Sequence, residues 1–212
     1  MSTSPTAYQR GRTEGEAALR ASLLDVASDL LVSGGSEALT MRRVAAAAGC
    51  STTVLYRLFE GKHGIVQGLY REGFDRLRAR LATVGEDEPL PRLRGLALAY
   101  GDYARQEPAY YTVMFSRPVP EFEPSPADVQ HGRSSLEVLV EAVAAAQRAG
   151  QVTSAEPQHV AEVLWAAAHG AVSLELAGHL DGEPASRVFG DVTAGALARF
   201  LADAPGSKRP HA

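Results

Sequence analysis

The stretch LTMRRVAAAAGCSTTVLYRLFEGKHGIVQGLY, residues 39–70, decides how this chain folds. Two helix-sized patterns flank a short turn made of Gly49, Cys50 and Ser51. A joint of three or four residues that contains glycine is typical of two short helices that cross at a steep angle. The stretch therefore predicts a helix-turn-helix.

The second helix of this pair, predicted over residues 52–58, has two opposed faces. At 100° per residue, the side chains of Val54, Leu55 and Leu58 fall within one sector of about 100° and can pack inward. The opposite side carries Thr52, Thr53, Tyr56 and Arg57. Hydroxyl, phenol and guanidinium groups bond phosphates and base edges, so this face predicts contact with DNA. An ordinary helical hairpin with a solvated polar face is the alternative.

The first helix is predicted over residues 41–48, with a polar cap before it and a glycine after it. Thr40 and Ser51 stand at the N-cap positions of the two helices, where a side-chain oxygen accepts a free backbone N–H. Gly49 ends the first helix because glycine readily takes a positive φ. The residues predicted to be buried in this helix are Met41, Val44, Ala45 and Ala48.

A dense set of residues in this stretch closely resembles the DNA-binding domain of the tetracycline-repressor (TetR) family. The matching residues are Leu39-Thr40, Arg42, Val44-Ala45, Ala48-Gly49, Ser51, Leu55-Tyr56, Phe59 and Lys62. With this resemblance, the candidate DNA contacts are Thr40, Arg42, Arg43, Ser51, Thr52, Thr53, Tyr56, Arg57 and Lys62. The departures are Cys50, His63 and Gly64, and we expect Gly64 and Gly68 to weaken the helix that follows.

Composition favours an all-α chain. Of its 212 residues, 45% are hydrophobic, alanine and leucine dominate, and β-branched residues are sparse. No apolar stretch approaches the roughly 18 residues that a membrane-spanning helix needs. The first residues are polar and contain no signal peptide. The single cysteine excludes an internal disulfide, which suits the cytoplasm. We therefore expect a cytoplasmic protein with no membrane partner.

The charge is distributed unevenly along the chain. Residues 1–80 contain 11 Lys and Arg against 8 Asp and Glu, a net charge of +3. Residues 81–212 contain 10 against 17, a net charge of −7. A basic N-terminal part joined to an acidic remainder is expected of a DNA-binding domain followed by a domain that does not touch DNA.

The pattern along the chain predicts four segments and about nine helices. Residues 1–13 are expected to form a flexible arm, 14–61 the three-helix DNA-binding domain, 62–203 a helical ligand-binding and dimerisation domain, and 204–212 a tail. Helices are predicted over residues 14–33, 41–48, 52–58, 62–83, 90–106, 108–116, 127–149, 157–180 and 184–202. Gly34-Gly35 is expected to end the first of them.

The C-terminal part contains a second resemblance. Trp165, His169-Gly170 and Leu174-Glu175-Leu176 are similar to the Trp-His-Gly (WHG-type) C-terminal domain of some TetR-family regulators. Members of the family bind a small molecule among their C-terminal helices. The candidate ligand-binding residues are Tyr100, Tyr103, Tyr110, Tyr111, Met114, Phe115, Phe122, Trp165 and His169. The alternative is that these are core residues and that His169 is a hydrogen-bonded core histidine.

Metal, cofactor and catalytic sites are not expected. Glu175 with His179, and His159 with Glu162, stand at helical spacings that could hold a metal, but ion pairs explain such spacings more often. A third ligand is missing from both pairs. The sequence also contains no phosphate-binding glycine loop and no nucleophile elbow. The chain is therefore predicted not to be an enzyme.

The last two predicted helices are rich in small residues, which predicts a dimer interface. These residues are Ala166, Ala167, Gly170, Ala171, Ala177, Gly178, Ala194, Gly195, Ala196 and Ala198. Two DNA-binding heads related by a two-fold axis would reach half-sites about 34 Å apart. The alternative is that the small residues only pack these helices within one subunit.

Together these features predict a ligand-responsive transcriptional regulator. The expected protein is a repressor that binds a near-palindromic operator in double-stranded DNA as a homodimer and releases it on binding a small-molecule effector. Two alternatives stay open: an all-α small-molecule-binding protein or enzyme that has lost DNA binding, and a transcriptional activator.

Overall fold

A computed structural model describes residues 6–85 and 88–202 of the chain. These residues form nine helices: α1 (Ala7–Ala38), α2 (Met41–Ala47), α3 (Thr52–Phe59), α4 (Lys62–Ala82), α5 (Pro89–Gln106), α6 (Pro108–Phe115), α7 (Pro126–Arg148), α8 (Pro157–Leu176) and α9 (Gly182–Ala198). Extended pairing in this part of the chain is limited to one bridge between Val152 and Leu201. The predicted all-α fold is confirmed.

The first helix begins earlier than predicted, because the chain caps it at Thr6. The Gln9 backbone N–H donates to Thr6 Oγ1 at 3.2 Å, and the Thr6 N–H donates to Gln9 Oε1 at 2.8 Å. This capping box gives two backbone donors a partner and starts a helix at Ala7. The expectation of a flexible arm over residues 1–13 is therefore wrong from Ala7 onward. Residues 1–5 and the predicted tail, 204–212, lie outside the described residues.

The predicted stop at Gly34-Gly35 is a kink. Gly35 takes φ 65°, which interrupts the helical geometry, and the chain then resumes one helical turn to Ala38. A second glycine ends α8 sooner than expected. Gly178 has φ 75°, and α8 stops at Leu176 instead of residue 180. Both differences depend on whether a glycine adopts positive φ, which residue spacing does not reveal.

The chain divides into two compact units. The head unit comprises the described residues up to Phe74 together with Ala109–Val129, and the body unit comprises Asp75–Pro108 with the described residues from Gln130 onward. The DNA-binding domain was expected to end at residue 61. The head unit instead includes the first half of α4, most of α6 and the loop after it.

Packing explains why the head unit includes these later segments. Leu55 of α3, Ile65 and Leu69 of α4, and Tyr110 of α6 are all at most 1% exposed. Burying a side chain of this size contributes about 1.5 to 3 kcal/mol. The helices α1, α2 and α3 need this additional apolar surface to close a core, and α4 and α6 supply it within the unit.

The body unit is built around α5, α8 and α9. Tyr100 and Tyr103 of α5, Val172 of α8 and Phe189 of α9 are buried between these helices. Ala171 is also buried, so this small residue packs within one chain and does not belong to an exposed face. The exposed small residues of α8 and α9 include Gly170 and Gly195.

Candidate functional site

The helix-turn-helix forms as predicted. Thr40 caps α2, since its Oγ1 accepts the Arg43 backbone N–H at 3.3 Å. Val44 and Ala45 are the buried residues of α2. Gly49 takes φ 65° and turns the chain toward α3. Met41 and Ala48, which were also expected to be buried, are only partly covered.

The two faces of α3 lie where the sequence places them. Leu55 and Phe59 are buried, and Val54 and Leu58 are partly covered. The exposed side carries Thr52, Thr53, Tyr56 and Arg57, with Tyr56 at 55% exposure. A large aromatic ring held in solvent on a rigid helix is available to a partner.

Ser51 occupies the N-cap position of α3 but makes no side-chain capping hydrogen bond. The expectation that its oxygen caps the helix is therefore wrong. The Val54 N–H donates instead to the backbone carbonyl of Ser51 at 3.1 Å. The exposed hydroxyl keeps its hydrogen-bonding capacity for another group.

The junction between α3 and α4 depends on close backbone contact. Glu60 has φ 61° and Gly61 has φ 137°, so the chain reverses within two residues. A Cβ added to Gly64 would lie 1.7 Å from the Phe59 carbonyl oxygen. The expectation that Gly64 merely weakens α4 misses this contact, because glycine is what permits the tight approach of the two helices.

Lys62, at the start of α4, has a partner within the head unit. Its Nζ donates to the backbone carbonyl of Ser36 at 3.1 Å, in the last turn of α1. A lysine ammonium has three donors, so this contact leaves capacity for a phosphate. Lys62 thereby joins the end of α1 to the first turn of α4.

Arg20 is a head residue that the sequence reasoning did not identify. Its Nη1 donates to the Leu58 carbonyl, and its guanidinium lies 4.4 Å from the centre of the Phe59 ring. Burial lowers the pKa of Arg20 from its ordinary value. In the sequence, Arg20 stands next to the apolar positions of α1, and that placement is the feature that could have indicated its role. Arg20 fixes the end of α3 against α1.

Aromatic residues from α6 and its following loop also pack within the head unit. The Tyr110 phenol donates to Asp25 at 2.9 Å. Phe115 contacts Phe74 edge-on at 5.7 Å, and Phe122 lies 6.0 Å from Tyr70, both measured between ring centres. These side chains attach α6 and the loop to α1 and α4.

The nine candidate ligand-binding residues are divided between the two units. Tyr110, Tyr111, Met114, Phe115 and Phe122 belong to the head unit, whereas Tyr100, Tyr103, Trp165 and His169 belong to the body unit. The division was not expected from the sequence, because helical spacing along one segment says nothing about which segment packs against it.

Asp128 anchors the beginning of α7 in the head unit and is 1% exposed. It accepts hydrogen bonds from the Ser125 N–H at 3.0 Å, from Gln67 Nε2 and from Arg71 Nε. Burial alone would raise the pKa of Asp128, but the hydrogen bonds from Ser125, Gln67 and Arg71 outweigh it and hold the pKa well below its usual range. Asp128 therefore ties the first turn of α7 to α4 as an ionised carboxylate.

A polar chain in the body unit connects three of the candidate ligand-binding residues. Trp165 Nε1 donates to Tyr100 Oη at 3.2 Å, and Tyr100 Oη lies 3.0 Å from His169 Nδ1. Burial lowers the pKa of His169, which favours its neutral ring. We assign Nδ1 as the acceptor of the phenol proton, which leaves Nε2–H facing Ser173 Oγ at 3.5 Å.

Glu175, which the sequence pairs with His179 at a helical spacing, is bound by an arginine. Glu175 accepts two hydrogen bonds from Arg105, at 2.8 and 2.9 Å. Across residues 6–85 and 88–202, no group of three or more His, Cys, Asp or Glu side chains is placed to hold a metal ion. Over the same ranges, every helix is too short or too polar to cross a membrane.

Comparison with known families matches both parts of the chain. A family model described as "Bacterial regulatory proteins, tetR family" matches residues 23–69. A second, described as "Tetracyclin repressor-like, C-terminal domain", matches residues 93–204, more than half of the chain. No curated protein matches the chain in sequence.

Solved structures of similar proteins share the fold over most of their length. A protein with unknown function from Rhodococcus sp. RHA1 is 27% identical, with 86% of this chain and 95% of that chain covered and a TM-score of 0.74. The TetR-family transcriptional regulator PfmR from Thermus thermophilus is 18% identical, with coverages of 83% and 97% and a TM-score of 0.68. A ketosteroid transcriptional regulator of Mycobacterium tuberculosis is 22% identical, with coverages of 87% and 95% and a TM-score of 0.65.

These matches agree with the geometry of the head unit, where a capped helix-turn-helix presents a polar face on α3. The two family models together match the helix-turn-helix in the head unit and most of the chain from α5 onward. The chain therefore belongs to the TetR family of bacterial transcriptional regulators and is a DNA-binding regulator.

Proposed function

We propose that the chain is a repressor that binds a near-palindromic operator as a homodimer and releases it when a small molecule binds. The observation that carries this proposal is the exposed face of α3. Thr52, Thr53, Tyr56 and Arg57 stand in solvent on the side opposite the buried Leu55. That arrangement suits insertion of α3 into a major groove. Since operator DNA lies in the bacterial cytoplasm, we expect the protein to act there.

The proposed DNA contacts have distinct roles. Thr52, Thr53 and Arg57 meet base edges or nearby phosphates. Tyr56, Thr40 and Lys62 hold phosphates, and the positive end of α4 assists Lys62. Further contacts come from Arg42, Arg43 and Ser51, all of which are exposed around α2 and the turn.

Binding to the DNA upstream of the gene for this chain tests the DNA-binding role. We expect salt-sensitive binding by the wild type in a gel-shift assay, and a large loss of affinity in the double variant Tyr56→Phe, Lys62→Ala. Arg148→Ala, at the exposed end of α7, is the matched control and should bind like the wild type. Full operator affinity in the double variant would contradict the assigned interface. Absence of binding to any DNA would favour a protein that has lost its DNA-binding role.

A transcription assay on the same promoter distinguishes repression from activation. We expect the purified protein to reduce transcription from a promoter that overlaps its operator, because a bound dimer excludes the polymerase. A rise in transcription on addition of the protein would identify an activator instead.

We propose that the effector binds among the aromatic residues of the body unit. The half-buried Trp165 and its polar chain through Tyr100 and His169 support a ligand with an apolar body and a few polar groups. The free energy that couples effector binding to DNA binding equals the difference in the ligand's affinity for the two conformations of the protein, expressed as a free energy.

The single tryptophan makes this effector proposal testable. Mass spectrometry of the protein denatured after purification should reveal a bound small molecule. Addition of that compound should change the fluorescence of Trp165 and weaken operator binding at the same concentrations. A compound that releases the operator without altering Trp165 fluorescence would place the effector site elsewhere.

The homodimer is proposed to form through α8 and α9. Leu174 and Leu176 of α8 and Val192 of α9 are large apolar residues at 48%, 38% and 40% exposure. Gly170 and Gly195, on the same helices, are also exposed and permit close helix packing. A surface of this composition suits a second copy of the chain, because an identical helix pair matches it in shape and hydrophobicity.

A further inference from the structure

The end of α8 has an inverted pattern of burial. Leu174 and Leu176 are exposed, whereas the Glu175 side chain between them is 21% exposed and turns toward α5. In a surface helix, leucines are usually the covered residues and glutamates the exposed ones. The covered carboxylate requires a polar partner on the inner side, and the exposed leucines are available to a partner on the outer side.

Arg105 of α5 is the interior partner. Its Nε and Nη2 donate to the two Glu175 oxygens at 2.8 and 2.9 Å, which is a bidentate ion pair. Such pairs fix direction as well as distance, since both groups are planar. The hydrogen bonds that Arg105 donates to Glu175 raise the pKa of Arg105, so the guanidinium stays charged.

The same guanidinium also reaches α9. Its central carbon lies 5.0 Å from the centre of the Phe189 ring. One turn earlier on α5, a Cβ added to Gly101 would lie 2.7 Å from Phe189 Cζ. Gly101 therefore lets the Phe189 ring approach the α5 backbone, and Arg105 covers the ring.

Arg105 is thus one side chain that contacts both α8 and α9 from their inner side. The outer sides of those helices expose Leu174 and Val192. The spacing and rotation of two helices determine whether their exposed residues can match a second copy, because interface packing is sensitive to small displacements.

We propose that Arg105 is a positioning residue for the dimer interface. By binding Glu175 and covering Phe189, it holds α8 and α9 in the arrangement that two chains require to pair. The proposal rests on the homodimer proposed above. Part of the dimer affinity then depends on Arg105, which lies on the inner side of α8 and α9 and not in the interface itself.

Analytical ultracentrifugation of the full chain tests this role. We expect Arg105→Ala and Glu175→Gln each to raise the dimer dissociation constant at least tenfold. Arg105→Lys keeps the charge and the aliphatic stem but cannot form the bidentate pair, so it should restore part of the affinity. Arg94→Ala, an exposed arginine on the same helix, is the matched control and should dimerise like the wild type.

Far-ultraviolet circular dichroism separates positioning from loss of fold. The expected result is a raised dissociation constant with unchanged helical content at the temperature of the measurement. If Arg105→Ala loses helical content, Glu175→Gln and Arg105→Lys decide the question. Wild-type affinity in these folded variants would overturn the role of Arg105. A wild type that stays monomeric at every concentration would instead overturn the homodimer itself.

Discussion

At the scale of single residues, close contacts explain positions that look unfavourable in the sequence. Gly64 in the first turn of α4 has poor helix propensity, yet its missing Cβ is what lets the chain pass the Phe59 carbonyl. Asp128 is a charged residue in a buried position, yet Ser125, Gln67 and Arg71 satisfy its carboxylate. In both cases a contact made outside the residue's own helix reverses the local preference.

Gly64→Ala should destabilise the protein. The new methyl group overlaps the Phe59 carbonyl oxygen, which is rigid backbone, and relieving such overpacking costs about 1 to 3 kcal/mol. Urea unfolding followed by circular dichroism measures the difference. Gly15→Ala, at an exposed helical site with nothing near its Cβ, is the control and should be neutral or stabilising by up to about 1 kcal/mol. Equal destabilisation by both variants would contradict the assigned contact.

Asp128→Asn should lower the free energy of unfolding by about 1 to 3 kcal/mol at pH 7. The pKa of Asp128 is lower in the folded chain than in the unfolded chain, so its contribution is complete above the unfolded pKa of about 3.9. The contribution is lost as the pH falls below that value. Unfolding measured between pH 7 and pH 2 should therefore show the wild type and the variant converging in acid.

Glu137→Gln is the control for this titration, because Glu137 is exposed on the same helix. Its stability should follow that of the wild type at every pH. A gap between the wild type and Asp128→Asn that persists undiminished at pH 2 would show that the ionised carboxylate is not responsible.

At the scale of elements, α3 is the helix whose sequence pattern and structure agree most closely. Its apolar and polar sectors follow from the 3.6-residue period, and the burial of Leu55 and the exposure of Tyr56 match them. The connection from α3 to α4 could not be predicted from the sequence pattern, because it depends on the backbone conformation of Glu60 and Gly61. Helical periodicity also does not predict the role of α6, because its aromatic residues pack against α1 and α4.

Two substitutions on α3 should affect operator binding in different ways. Tyr56→Phe removes a phenol hydroxyl from a proposed phosphate contact, so affinity should fall roughly threefold to tenfold for all sequences alike. Thr53→Ala removes a proposed base contact, so discrimination between operator variants should fall by about 1 kcal/mol. Fluorescence anisotropy with a panel of single-base operator variants measures both. The assignment fails if Tyr56→Phe changes the sequence preference and Thr53→Ala does not.

At the scale of the whole molecule, the proposed function requires two heads on one operator. Every head contact is then made twice. The salt dependence of binding increases with the number of phosphate contacts, so it reports how many of them the dimer makes. The net charge of +3 on residues 1–80 suits such a contact even though the entire chain carries −4. The overall charge is therefore a poor guide to the partner of this protein.

Lys62→Ala should reduce the slope of log binding constant against log salt by about 1.8 if a dimer loses two phosphate contacts, and by about 0.9 if one head binds alone. Titrations at four or more salt concentrations measure the slope. Arg148→Ala, at the end of α7, is the control and should leave it unchanged. An unchanged slope in Lys62→Ala would mean that the ammonium serves only the Ser36 carbonyl.

The sequence by itself determined the all-α class, the helix-turn-helix and the opposed faces of α3, because these depend on local periodicity, capping and turn residues. Only the tertiary structure decided that α6 and the start of α7 belong to the head unit, that Gly64 permits a close approach, and that Arg105 joins α8 and α9. The placement of α6 and α7 and the role of Arg105 depend on contacts between segments far apart in the chain, and the Gly64 contact depends on the backbone geometry of the α3–α4 junction. Local propensities do not specify which distant surface completes a core or which charge meets a buried partner.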